Sequence, residues 1–370
     1  MRITLPKHDL QEAVGKLKSV VAAKSSLSIL TQVLMETGDS SVTISGTDLK
    51  ISTVCVVDCS VERPGALTVS CQRLAMLLSE LPDADITLDL QENNVISLTC
   101  GQMETRLFSM PPEEFPPIRK FGDVEPMVFK QGMLKKLFQK TVFAICTDQS
   151  RYNLTGLLLE FKAGILTVVA TDGRRMSLAK TDDLMDSSQD FKVIVPAKMI
   201  HELLSLLGSD DEQTVGVCVE ESQIGFFMKN LTTSSTLIEG NFPNYETVIP
   251  KKHDKEIALT VEAFERIMRL ALAMTNDRFR NVRLAIESGM MRVIVKTPEV
   301  GEYEDCTPVE YDGDSVEIAF NPAFILDVLR NIDTEKVCLL LKDTSSPGII
   351  KPYTDAPSDS YVNVVMPIRI

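Results

Sequence analysis

Lys130, Lys135, Lys136 and Lys140 lie in a nineteen-residue stretch, Met127–Ile145, that holds no acidic residue. At about 100° per residue, Lys135, Lys136, Gln139 and Lys140 share one face of a helix, and Leu134, Leu137, Phe138, Val142 and Ile145 share the other. Ammonium groups held along a helix face can contact phosphates without reading bases. The side chains needed for catalysis are sparse. No phosphate-binding Gly-x-x-x-x-Gly-Lys loop, HExxH pair or Gly-x-Ser-x-Gly elbow is present. The three histidines, His8, His201 and His253, are scattered, and Cys146 with His201 is one conceivable nucleophile pair. Glu302, Glu304 and Asp305 form a charge run that reads as a solvated face. Cys55 and Cys59 are four apart, but no second cysteine or histidine pair completes a metal site. Neither an enzyme nor a metal or other cofactor is expected.

The basic helix is one of six similar elements. Short apolar starts at Ile3, Leu67, Val128, Val193, Ile257 and Ile318 each lead into a helical run, with steps of 64, 61, 65, 64 and 61 residues. A regular step signals a repeat, and two steps, about 125 residues, make a normal domain. The material between helices separates odd from even units. Hairpin-like stretches such as Val42–Asp48, Leu166–Asp172 and Met291–Pro298 follow units one, three and five, whereas Phe115-Pro116-Pro117 and Phe242-Pro243-Asn244 follow units two and four. The expected architecture is α+β: three similar domains at 1–122, 123–251 and 252–370, each of two βα-plus-strands halves. The apolar run from Tyr361 is expected to continue as a strand to Ile370 and to dock on the body of the protein, with Asn363 interrupting it.

Charge is unevenly placed. The six helical stretches together hold a net +7 against −14 for the chain, which leaves −21 on the rest. If their polar faces converge, they form a positive lining in an acidic body. Most of the eight cysteines sit in apolar runs, as at Cys55, Cys100, Cys218 and Cys338, which suits buried thiols in a reducing cytoplasm. No apolar run is long enough to span a membrane, and Met1-Arg2-Ile3-Thr4-Leu5 enters a strand without the apolar core of a signal peptide.

Gly46-Thr47-Asp48-Leu49, Arg151-Tyr152-Asn153-Leu154-Thr155-Gly156, Ala170-Thr171-Asp172-Gly173-Arg174-Arg175, Phe242-Pro243-Asn244-Tyr245, Phe279-Arg280-Asn281-Val282 and the terminal Val365-Met366-Pro367-Ile368-Arg369 occur in this order. With the threefold repeat, the chain resembles the bacterial DNA polymerase sliding clamps, the beta subunits of the replicase. The resemblance spans all three domains and implies a DNA clamp fold in a head-to-tail homodimeric ring, helices inside and sheets outside. Such a ring holds double-stranded DNA without sequence preference and tethers the replicative polymerase, the clamp loader and repair proteins through short linear motifs. It implies DNA contacts from Lys24, Arg73, Gln149, Arg151, Tyr152 and Lys198, to which the basic helix adds Lys136 and Lys140. It implies a partner-peptide pocket from Leu154, Thr171, Gly173, Arg174, Arg175, Met176, Pro243, Val248, Phe279, Asn321, Phe324, Val364, Val365, Met366, Pro367, Ile368 and Arg369. It implies a subunit interface at Leu78, Arg106, Phe108, Ala273 and Met274. The chain departs from the family pattern at Glu80, Asp148 and Ala197 among the DNA positions, and at Arg174, Glu246, Thr247 and Phe324 around the pocket. The rival reading is a scaffold that binds only proteins.

Overall fold

A computed structural model describes residues 1–119, 121–122, 125–181, 190–210, 212–354 and 360–369. The first expected boundary, at Asp123, and the chain end at Ile370 lie outside them.

Each of the six expected units is a strand running directly into a helix. The helices are α1 (Lys7–Leu17), α2 (Cys71–Glu80), α3 (Gln131–Val142), α4 (Ala197–Leu206), α5 (Val261–Ala273) and α6 (Pro322–Leu329). The entry turns are set by local chemistry. Thr260 and Asn321 cap α5 and α6 by accepting from Ala263 N and Ala323 N. Pro322 supplies a fixed φ at the first helical position of α6. The helices bury one face each: Leu10, Ala13, Val14 and Leu17 in α1, and Phe264, Ile267, Met268 and Ala271 in α5. In α3, Leu134, Leu137 and Phe138 are buried as expected. The helix stops at Val142, however, and Thr141 takes the next inward position, its hydroxyl donating to Leu137 O at 2.8 Å. A hydroxyl that bonds its own helix carries no unmet donor inside, which is why a threonine can replace an aliphatic residue there.

The chain divides into two compact units, Met1–Gly132 with His201–Leu237, and Met133–Ile200 with Ile238–Ile370. The first contains a five-stranded sheet in the order Ser60–Arg63, Arg2–Leu5, Ile86–Leu90, Val95–Cys100, Met103–Phe108. Its eight-stranded sheet runs Met127–Lys130, Thr214–Glu220, Gln223–Met228, Leu231–Thr236, Ile51–Asp58, Ser41–Thr47, Gln32–Thr37, Ala66–Ser70. The seam between sequence-distant strands is the antiparallel pairing of Leu231–Ser235 with Cys55–Ile51, where Thr53 and Thr233 hydroxyls meet at 2.8 Å. α1 packs on α2 over a core that includes Ile3, Leu10, Leu17, Leu74 and Leu78.

The second unit is built alike. Its eight-stranded sheet runs Phe191–Pro196, Gly156–Lys162, Ile165–Thr171, Arg175–Lys180, Tyr361–Val365, Gly348–Pro352, Lys336–Leu341, Lys255–Thr260. A four-stranded sheet runs Gly301–Pro308, Met290–Thr297, Val282–Glu287, Val316–Phe320, and α5 packs on α6. The last strand corrects two expectations. It ends at Val365, because Pro367 has no N–H for a ladder. Asn363 does not interrupt it: the residue pairs with Ser177 on one side and Ile350 on the other, fully buried.

All eight cysteines are free thiols; six are buried, Cys59 is half-buried and Cys306 is exposed. Burial pushes Cys55 and Cys338 up to about 12, far from the thiolate form. Cys146 is buried with Sγ toward the Asp148 carbonyl, and His201 is exposed.

Candidate functional site

The Thr171–Arg175 turn organises the expected pocket. Asp172 Oδ1 accepts from the backbone N–H groups of Arg174 and Arg175 at 2.8 and 3.0 Å, and the Thr171 hydroxyl donates to Arg175 O at 2.7 Å. Gly173 has a φ of +83°, and a Cβ there would stand 2.7 Å from an Arg151 guanidinium nitrogen. That nitrogen donates to Asp172 O at 3.0 Å, and the positive φ is what makes glycine the residue of choice in this turn.

Arg175 lies behind the turn. Its Nε donates to Asp172 at 3.1 Å, Nη1 to Asp327 at 2.5 Å and Nη2 to Phe143 O at 2.7 Å. The guanidinium carbon stands 4.5 Å from the Phe324 ring centre and 5.5 Å from that of Phe143. With its side chain 12% exposed, Arg175 is a strut between the turn and α6 rather than a free cation.

Neighbouring strands present the rest. Val365 pairs with Arg175 on one side and Gly348 on the other. Met366 follows, its N–H donating to Arg174 O at 2.9 Å. Met366 and Val248 then line one cavity of about 550 Å³ with Thr247, Pro250, Lys251, Lys252, Lys342, Ser346 and Pro347. Both apolar side chains are 40% exposed, as a docking surface requires. Leu154, Met176 and Val364 instead belong to one buried core cluster, and Val365 is 1% exposed. Their burial corrects the expectation that they contact a partner peptide directly; they are core side chains. Phe324 and Asn321 are half-buried on and before α6, and Pro243 and Phe279 are exposed. Pro367 is half-buried. Past it, Ile368 N–H donates to Ala319 O at 2.8 Å, and Arg369 lines a separate hollow with Asn281, Arg283 and Lys296. The tail thus carries Arg369 away from Val248 and Met366. Lys251, Lys252, Lys342, Ser346 and Pro347 were missed by sequence reasoning; the Lys251-Lys252 pair after Pro250 was the available signal.

The short helical turn before Val248 is fixed from below. The buried Tyr245 hydroxyl donates to Glu160 Oε2 at 2.5 Å, and Lys192 pairs with the same carboxylate at 2.9 Å. Burial alone would raise Glu160, but the Tyr245 hydrogen bond and Lys192 hold it below its ordinary value of 4.5. A carboxyl depressed in the fold contributes stability in full above that ordinary value and loses it as pH falls through the folded value. Between about pH 5 and pH 3 the melting temperature of wild type should therefore drop more steeply than that of Glu160→Gln. Parallel curves by scanning calorimetry would rule the linkage out.

The DNA candidates differ in exposure. In the first unit Lys24 and Arg73 are exposed, after α1 and in the first turn of α2. In the second, Lys136, Lys198, Gln149, Arg151 and Tyr152 are exposed, Tyr152 by 51%. Lys140 is restrained: it pairs with Asp333 at 2.8 Å and lies over the Tyr361 ring. Asp148 caps the Gln149–Leu154 turn, accepting from Ser150 N–H at 3.0 Å, which accounts for an acid at this place.

The interface candidates sit at sheet edges. Met103–Phe108 is the outer strand of the five-stranded sheet, with Arg106 exposed and Phe108 81% exposed. Gly301–Pro308 is the outer strand of the four-stranded sheet, and Ala273 and Met274 end α5, which packs on it. Leu78 is corrected: at 0% exposure it is core, because the inward face of α2 carries Leu74 and Leu78 while Met76 points out at 63%.

Family models for the N-terminal, central and C-terminal domains of the DNA polymerase III beta subunit match residues 1–119, 128–244 and 246–369. The chain belongs to the beta sliding clamp family. It is 31% identical over 373 residues to the beta sliding clamp of Pseudomonas aeruginosa and 30% identical over 370 residues to that of Chlamydia muridarum, covering 100% and 99% of them and itself covered in full. The crystal structure of DNA polymerase III subunit beta from Pseudomonas aeruginosa superposes with a TM-score of 0.94 at 30% identity, each chain covered completely. The structure of a Pseudomonas aeruginosa sliding clamp bound to griselimycin also gives 0.94, at 31% identity. The fold is the α+β, three-domain DNA clamp fold, and the clamp's function is that of a processivity factor in DNA replication.

Proposed function

We propose that two copies close head to tail into a ring around duplex DNA, with helices lining the opening, and that the ring tethers the replicative polymerase, clamp loader and repair proteins through short motifs in the Val248–Met366 cavity. The observation that carries this reading is the repeat: six strand-to-helix units, with the segments 7–24, 70–80, 130–146, 196–207, 260–280 and 321–331 on and around their helices holding net +7 in a chain of −14. A ring need not grip, so sparse cationic groups suffice and a tight hold would oppose sliding. Family membership supports the dimer, and the open Met103–Phe108 and Gly301–Pro308 edges offer strands that subunits can pair. Domain limits at 1–122, 123–251 and 252–370, and a cytoplasmic site of action, belong to the same reading.

The clamp should stay on nicked circular DNA through gel filtration and leave once the DNA is linearised. Retention on both forms sinks the topological reading, and retention on neither favours a protein-only scaffold. Among the lysines, Lys136→Ala should reduce the salt dependence of DNA association by about one counterion, and Lys140→Ala by less, since Asp333 already occupies that ammonium. Fluorescence titration over a salt series checks this; a larger effect for Lys140→Ala refutes the ordering.

A further inference from the structure

The cavity that joins Val248 to Met366 has a second character. One rim is apolar, from Val248, Pro347 and Met366; the other carries Lys251, Lys252 and Lys342. All three lysines are exposed, and among the described residues none is in an ion pair. The one acid beside them in sequence on the 342–347 turn is already committed. Asp343 accepts from the backbone N–H and hydroxyl groups of both Ser345 and Ser346, at 2.6 to 2.9 Å, which holds its carboxyl far below the usual range. It shapes the turn that presents Lys342, Ser346 and Pro347. In a chain of net −14, a cavity edged by three unpaired ammonium groups is a local reversal of sign.

We propose that this lysine rim is a specificity subsite for acidic residues flanking the apolar anchor of a partner peptide, so that the clamp prefers motifs with aspartates or glutamates beside their leucine or phenylalanine. The proposal rests on the reading of the cavity as the peptide pocket. Charge complementarity argues for the occupant: an acidic peptide is disfavoured by a chain of net −14 and attracted at this rim, which favours one register and one set of partners. Exposed pairs contribute modestly each, so three together should give about a tenfold preference at low salt.

The test uses the full chain and three fluorescent decapeptides with the same central leucine–phenylalanine anchor, flanked by glutamates on the N-terminal side, on the C-terminal side, or by glutamines on both. Fluorescence anisotropy is measured at about 50 and 300 mM salt on wild type and on Lys251→Gln/Lys252→Gln/Lys342→Gln. The expected result is tighter binding of one acidic peptide by wild type, about tenfold at low salt, shrinking at high salt and absent in the triple variant. The neutral peptide should bind both proteins alike. Equal affinity of wild type for all three overturns the preference and leaves the pocket standing, as does a preference that survives in the triple variant. Binding of no peptide overturns the pocket reading and this proposal with it. Should the triple variant instead lose affinity for a dT20 oligonucleotide while the peptides bind equally, the lysines serve phosphate and the proposal fails.

Discussion

Arg175→Ala should strongly destabilise the second unit. It removes the cation between Asp172 and Asp327, strips the Phe143 carbonyl of its donor and opens a gap between two rings. Breaking a buried pair costs about 3–5 kcal/mol. The partial exposure of Asp172 and Asp327, 19% and 31%, brings the expectation to about 2–4 kcal/mol. For a body of roughly 200 residues this is a fall in melting temperature of about 5–15 °C. Peptide affinity should fall too, since Arg174 O, which anchors Met366, sits on the same turn. Arg175→Lys should not restore stability, because a single ammonium cannot span three acceptors in one plane. A melting temperature within about 2 °C of wild type for Arg175→Ala would show that the strut is dispensable.

Phe108→Asp should have the largest effect on assembly. The ring stands 81% exposed on an open edge strand, a position that calls for a covering partner. Burying a phenylalanine contributes about 1.5–3 kcal/mol, so its loss alone weakens association about ten- to a hundredfold. If the proposed head-to-tail pairing holds, it brings this carboxylate toward the exposed Glu302 and Glu304 of the other edge and adds repulsion. Sedimentation velocity at micromolar concentration should show the variant as monomer with unchanged thermal stability, and retention on nicked circles should disappear. A dimer as tight as wild type would remove Met103–Phe108 from the interface.

Much of this was legible in the residues. Apolar starts at a regular step marked all six strand-to-helix units, because helix faces leave a period in the sequence. Strand partners leave none. Nothing in Leu231–Thr236 announces that its neighbour is Ile51–Asp58, or in Tyr361–Val365 that it lies between Arg175–Lys180 and Gly348–Pro352. The interface assignment of Leu78 failed for a related reason: resemblance located the helix but not which way one leucine of it points. In the pocket, the turn residues were found by resemblance. The inward commitment of Arg175 depends on Asp327 and Phe143, 152 and 32 positions away, and was invisible. Lys342 escaped notice because its neighbours Lys251 and Lys252 belong to another part of the chain.

The seams within the two eight-stranded sheets bear on how the protein can be cut. Residues 123–251 look like a portable middle piece, yet Leu231–Thr236 completes its ladder with the first third of the chain and Arg175–Lys180 with the last. Expressed alone, such a fragment would carry two raw hydrogen-bonding borders, one in each half, and should be sticky. A backbone nicked by protease in a linker, by contrast, should keep its pieces in one particle, because the break leaves every ladder intact.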